Sequence, residues 1–146
     1  MAIPSRTAKP GTYFITTATH NRRRLFQVER NADLLLETLD HYRASYLLHA
    51  YVVMPDHVHL LITPTEITLE RTMQLIKGGF SHRLASKLPV WQRGFTDHRI
   101  RDIADYNLRR NYLYQNPVGA RLCESPESYP FSSANPKLKL DEYLSG

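Results

Sequence analysis

Three side chains in this sequence have the types and the spacing for chemistry on a phosphate ester. His57 and His59 stand two residues apart in Met54-Pro55-Asp56-His57-Val58-His59-Leu60-Leu61-Ile62. Tyr112 lies in Arg109-Arg110-Asn111-Tyr112-Leu113-Tyr114-Gln115-Asn116-Pro117-Val118. In a strand, side chains alternate faces, so His57, His59 and Leu61 share one side and Val58, Leu60 and Ile62 take the other. The two imidazoles are then about 6–7 Å apart at Cα and can converge on one cation. On a helix, Tyr112 and Asn116 are one turn apart on one face, with Gln115 nearby. An amide oxygen from Asn116 or Gln115 would add a third donor and leave open positions on a divalent ion. A tyrosine hydroxyl, with a pKa of about 10, is a poor nucleophile by itself. A cation on the phosphate withdraws charge and orients phosphorus for in-line attack, and attack conserves the ester's energy as a covalent phosphotyrosine.

The elements that must position these groups follow from periodicity. Thr12 to Thr19 is rich in aromatic and β-branched residues and reads as a first strand. Asn31 or Asp33 is a candidate cap for a first helix, whose apolar stripe is Leu35, Leu39, Tyr42 and Tyr46. Two apolar runs around Pro55-Asp56 make a hairpin, and Pro64-Thr65 closes it. Thr68 caps a second helix with the stripe Leu69, Met73, Ile76, Phe80 and Leu84. Gly78-Gly79 is expected to kink or weaken that helix, and Leu88-Pro89 to end it. A short strand follows at Thr96 to Ile100. Asp102 caps a third helix expected to stop at about Gln115, because a residue before proline disfavours the helical region. Residues 1–10 read as an irregular lead-in. Residues 119–146 read as an irregular wrap with a final turn near Asp141 to Leu144.

The order strand, helix, strand, strand, helix, strand is a split βαβ, giving an α+β, ferredoxin-like antiparallel sheet with two helices on one face. The histidines then look out of the other face, and the tyrosine-bearing helix is free to pack there. At 146 residues, with 42% hydrophobic and 23% charged residues, the chain fits one domain, with a core over about 11–118. No apolar run is long enough for a membrane span. The single cysteine, Cys123, excludes an internal disulfide and suits a reducing cytoplasm. A net charge of +5 and a pI of about 9.5 favour a polyanionic partner. The candidate phosphate contacts are Arg22, Arg23 and Arg24 in a basic loop, Lys77 and Arg83 on the second helix, Arg93, and Arg109 and Arg110 beside the tyrosine.

The pattern resembles the HUH nucleases, named for His-hydrophobe-His, and within them the single-tyrosine, REP-associated tyrosine transposases. The segments that carry the resemblance are Gly11-Thr12-Tyr13-Phe14-Ile15-Thr16, Val53 to His59, Ile76-Lys77-Gly78-Gly79-Phe80-Ser81, Trp91-Gln92-Arg93-Gly94-Phe95, Asp97-His98-Arg99-Ile100-Arg101, Tyr112 to Val118 and Tyr129-Pro130-Phe131-Ser132-Ser133. The resemblance implies Tyr112 as nucleophile and His57, His59 and Asn116 as ligands of Mg²⁺ or Mn²⁺. It implies cleavage of single-stranded DNA beside an imperfect hairpin, leaving a 5′-phosphotyrosine and a free 3′-OH. Related insertion-sequence enzymes often place a glutamine at the third ligand, which keeps Gln115 in view. Cutting two ends with one tyrosine per chain suggests a homodimer on DNA.

Plainer readings compete at each position. Tyr112 alone is a half-buried helix residue, Asn116-Pro117 a helix stop, Asp56 a turn residue, Trp91 and Phe95 loop anchors, and Cys123 an inert thiol. Two other functions also fit parts of the pattern. One is a domesticated relative that binds hairpin nucleic acid without cutting. The other is a metal hydrolase that activates water, for which Asp56 is the one acid near the histidines.

Overall fold

The central strands of the sheet are buried on both faces, and residue type divides those faces, with an apolar set on one side and the histidines on the other. In the computed structural model, which describes residues 11–144, β1 (Tyr13–Ala18), β2 (Tyr46–Val53), β3 (His57–Pro64) and β4 (Thr96–Arg99) form one antiparallel sheet in the order β2-β3-β1-β4. Helix α1 (Glu29–His41) joins β1 to β2, α2 (Leu69–Leu84) joins β3 to β4, and α3 (Ile103–Gly119) follows β4. This is the ferredoxin-like order read from the sequence. The lead-in at 1–10 lies outside the described residues.

One face of the sheet carries the main core. Ile15, Val58, Leu60 and Ile62, with Leu35, Leu39, Met73, Ile76 and Phe80 from α1 and α2, are at most 2% exposed. Each such side chain contributes about 1.5–3 kcal/mol by leaving water. Of the expected α2 stripe, Leu69, Met73, Ile76 and Phe80 are buried and Leu84 is half-buried, and the Thr68 hydroxyl accepts from the Arg71 N–H at 3.1 Å as a cap.

Several expectations need correction. Helix α1 starts at Glu29 without a side-chain cap, and the Asn31 amide instead donates back to the Leu25 carbonyl at 2.9 Å. It ends at His41, so Tyr42 and Tyr46 do not extend its stripe; Tyr46 opens β2 and its hydroxyl bonds the Leu39 carbonyl. Helix α2 runs unbroken through Gly78-Gly79. A Cβ on Gly79 would come within 2.6 Å of the Tyr42 ring, so glycine there permits close helix packing and does not mark a break. The helix ends at Leu84 on Ala85, in the left-handed region at φ 54°, before Leu88-Pro89 is reached. Helix α3 passes through Asn116-Pro117 to Gly119. Proline there removes the N–H that would bond the Leu113 carbonyl. Pro117 is buried, and the Ala120 and Leu122 N–H groups bond the carbonyls of Asn116 and Pro117, so packing and a closed last turn outweigh that loss.

The tail wraps as expected but has no helical turn at 141–144. It covers the outer edge of β2. The Val53 N–H donates to the Phe131 carbonyl and the Ser133 N–H to the Tyr51 carbonyl. Asp141 is pinned by Arg43 at 2.7 Å and by the Leu48 N–H at 2.9 Å. An exposed strand edge is thereby closed against pairing with another chain.

Candidate active site

The second face of the sheet is built differently. Register places Phe14 beside Leu61 and His98, Thr16 beside His59 and Thr96, and Ala18 beside His57. All of these side chains share one face. Helix α3 lies across it, started by Asp102, whose carboxylate accepts from the Asp105 N–H at 2.8 Å. Because α3 crosses here, Tyr112 reaches the histidines: its ring meets His59 edge-on at 5.7 Å and Phe14 at 6.0 Å between centroids. Tyr112 is nevertheless 55% exposed, an open aromatic beside a buried imidazole.

The two histidines are fixed by neighbours. Their rings are 4.8 Å apart between centroids. His57 Nδ1 lies 2.7 Å from Asp56 Oδ1, and Asp56 Oδ2 accepts from Arg22 Nε at 3.1 Å. His59 Nδ1 lies 2.8 Å from the Thr16 hydroxyl, and its ring stacks on Phe14 at 5.1 Å. Each imidazole is thus oriented through Nδ1, which makes Nε2 the lone-pair nitrogen when Nδ1 carries the proton. His59 Nε2 is buried and has no hydrogen-bond partner. Burial, then the neighbouring His57 charge, pushes the His59 pKa down to about 3, so the ring is neutral at physiological pH. Burial acts upward on Asp56, but His57 and then Arg22 outweigh it and hold its carboxyl below the usual range.

A neutral, oriented, unpartnered ring nitrogen has the properties of a metal ligand. Among the described residues no cluster of three or more His, Cys, Asp and Glu forms, so a further donor must come from an amide, a hydroxyl, water or substrate. Asn116 follows Tyr112 by one turn and is half-buried, while Gln115 is exposed. Among the described residues, neither amide has a recorded hydrogen bond to the histidines.

Two clefts meet at this site. One, of about 320 Å³, is lined by Phe14, Thr16, His59, His98, Arg109 and Tyr112 among others. The second, of about 360 Å³, shares Thr16 and Thr96 and continues past Arg22, Arg93 and Phe95. The basic candidates divide accordingly. Arg22, Arg93 and Arg109 line these clefts, and Arg24 is exposed near Arg22. Arg110 stacks over Tyr106 at 5.5 Å. Arg23 donates to the Pro89 carbonyl at 3.3 Å. Lys77 and Arg83 are not brought to the clefts. The Lys77 ammonium holds the Gln92 and Gly94 carbonyls at 3.1 and 2.6 Å. Arg83 is spent on the Gly79 carbonyl and the Tyr42 ring. Trp91 is a loop anchor, donating to the Lys77 carbonyl at 3.0 Å.

Sequence reasoning missed Thr16, His98 and Asp105. His98 Nε2 lies 2.8 Å from Asp105 Oδ2. Asp105 follows a capping aspartate by three residues, so in sequence it looks like an ordinary acidic residue of a helix's first turn.

The profile of the family described as "Transposase IS200 like" matches residues 8–114, a span that includes His57, His59 and Tyr112 and stops before Gln115 and Asn116. The REP-associated tyrosine transposase of Escherichia coli K12 is 30% identical over 132 residues, covering 86% of this chain and 77% of that protein. The chain belongs to the IS200-like transposase family, among the REP-associated tyrosine transposases. Its fold agrees: a solved REP-associated tyrosine transposase, bound to a REP hairpin, superposes with a TM-score of 0.80 at 24% identity, covering all of this chain and 96% of the other.

Proposed function

We propose that this protein cuts and rejoins single-stranded DNA beside a hairpin, with Tyr112 as the nucleophile. The observation that carries the reading is Tyr112 packed against His59, whose buried Nε2 has no partner. His57, His59 and an amide oxygen from Asn116 or Gln115 would hold Mg²⁺ or Mn²⁺. When bound, the ion would draw charge from the phosphate and orient it. Tyr112 Oη gives up its proton and forms the bond to phosphorus, the bond from phosphorus to the 3′ oxygen breaks, and that oxygen takes up one proton to leave as a free 3′-OH, so no net proton is gained or lost. The strand's 5′ phosphate stays on the tyrosine, and reversal of the step rejoins DNA. Thr16 and Asp56 keep the imidazoles aimed, and Arg22, Arg93 and Arg109 offer cations along the clefts for a DNA backbone. The relative with the similar fold was solved with a REP hairpin, which supports hairpin DNA as the substrate.

Water-based hydrolysis is disfavoured by a specific contact. Asp56, the one candidate base, is engaged by both His57 and Arg22. The test is incubation with labelled single strands from the gene's own flanks, with Mn²⁺ or Mg²⁺, followed by a denaturing protein gel. An adduct that needs a single strand and metal and vanishes in Tyr112→Phe is expected. Cleavage that survives Tyr112→Phe without an adduct would replace this reading with hydrolysis. Tight binding without cleavage would replace it with a domesticated hairpin binder.

A further inference from the structure

Across the cleft from the histidine pair stands a second polar rim, of which the cleavage reading draws only on Arg109, as a backbone cation. His98 pairs with Phe14 across β4 and β1, so it shares the face of His59 at a distance of two strands, about 10 Å across the sheet. Its Nε2 is held by Asp105, which is only 4% exposed. The same Asp105 oxygen accepts from the Arg101 N–H at 3.0 Å and from Arg101 Nε at 3.4 Å. Its other oxygen lies 3.7 Å from Arg109 Nε, too far for a hydrogen bond, and both of those atoms are buried without a hydrogen-bond partner. Arg109 also lies over the Phe14 ring at 5.7 Å.

This arrangement ties an edge strand to a helix through one carboxylate. Asp105, Arg109, Tyr112 and Asn116 follow one another by four, three and four residues, so they form one stripe of α3. The stripe carries Arg109 one turn before the tyrosine, and Asp105 pulls His98 toward it from the strand. His98, Arg109 and Tyr112 all line the same cleft. One carboxylate faces two guanidiniums and an imidazole, so the rim is not neutralised by it. Asp97 also lines the cleft but alternates with Thr96 and His98, and its side chain leaves the other face of the strand.

We propose that His98 and Arg109, positioned by Asp105, grip the phosphate next to the one that Tyr112 attacks, and so decide which phosphodiester lies in line with the hydroxyl. Arginine suits this task because its planar fork holds phosphate oxygens in a fixed orientation. The inference rests on the single strand entering the cleft, as the cleavage reading requires.

Position-specific charge removal on the DNA tests it. The probe is a labelled hairpin with a single-stranded extension from the gene's flank, carrying one neutral methylphosphonate at a time. Binding is followed by anisotropy in a Tyr112→Phe background, so that no covalent link forms. One phosphate beside the cleavage point is expected to cost about tenfold in affinity when neutralised, the size of one charge-assisted hydrogen bond. Adding Arg109→Gln or His98→Asn should reduce that cost to under about twofold and leave every other position unchanged. Arg109→Lys should keep part of it. Asp105→Asn should act like His98→Asn, and where that variant does not fold, the Arg109 and His98 variants decide alone. With Tyr112 restored, Arg109→Gln should cut at neighbouring phosphodiesters as well. Unchanged sensitivity at that position, or a loss spread evenly over all positions, would overturn the inference while leaving cleavage by Tyr112 intact. No binding of the extension by the unsubstituted protein would overturn the cleavage reading and this inference together.

Discussion

The two faces of one sheet, made by the same four strands, have opposite character. Toward α1 and α2, β1 and β3 present Ile15, Val58, Leu60 and Ile62, close-packed and apolar, with the Thr17 hydroxyl buried without a partner and with Asp97 and Arg99 at the β4 edge. Toward α3, they present Phe14, Thr16, His57, His59 and His98, with an unpartnered imidazole nitrogen, a buried aspartate and a half-open tyrosine. A side-chain period of two lets each strand serve both purposes, so stability and chemistry are separated by a single residue step. His59 and Leu60 are neighbours in sequence, yet one keeps a buried ring nitrogen without a partner and the other fills the core.

Substitutions on the two faces should therefore fail in different ways. Leu60→Ala on the core face is expected to cost about 2–5 kcal/mol in urea unfolding, and to lower DNA binding only as far as it unfolds the chain. A cost below about 1 kcal/mol would show that this face is not the core. His59, on the other face, makes stability depend on pH. Its folded pKa, pushed down to about 3, lies below the unfolded value of about 6.5, so its contribution is present above pH 6.5 and lost as pH falls toward 3. Between about pH 6.5 and 4.5 the native protein should lose about 2–3 kcal/mol more than His59→Asn. Parallel stability curves for the two proteins would contradict a buried neutral imidazole.

Two cations sharpen the contrast further. Lys77 is tied to the Gln92 and Gly94 carbonyls, whereas Arg93, in the loop those bonds hold, lines a cleft. Lys77→Met is expected to cost about 1–2 kcal/mol of stability and leave the salt dependence of DNA binding unchanged. Arg93→Ala should leave stability within about 0.5 kcal/mol and lower the slope of log affinity against log salt by about one. Exchange of these two outcomes would mean that the loop is turned over relative to this account.

The sequence made the alternating faces visible because strand period and residue type agree in His57-Val58-His59-Leu60. The caps at Thr68 and Asp102 were legible for a similar reason, since an oxygen-bearing residue directly precedes an apolar stripe. What stayed hidden depends on contacts far apart in the chain. Gly79 looks like a helix breaker until Tyr42 is seen against it. Pro117 looks like a helix stop until its burial is known. Lys77 and Arg83 look like a free basic surface until their carbonyl partners arrive from elsewhere. In the site, the histidines and Tyr112 were legible by spacing, whereas the link from His98 to Asp105 joins a strand edge to a helix and has no local signature.

In the proposed reaction Tyr112, and no other tyrosine, attacks the DNA. Tyr114 is the informative contrast, because it sits two residues away on the same helix but its hydroxyl oxygen accepts from Ser133 Oγ at 3.2 Å. The direct measurement is mass spectrometry of peptides from the protein after reaction with a single-stranded flank oligonucleotide and Mn²⁺. A nucleotide adduct is expected on Tyr112 alone, absent in Tyr112→Phe, with unfolding free energy unchanged within about 0.5 kcal/mol by that substitution. An adduct on Tyr114, or one that persists in Tyr112→Phe, would contradict that role for Tyr112.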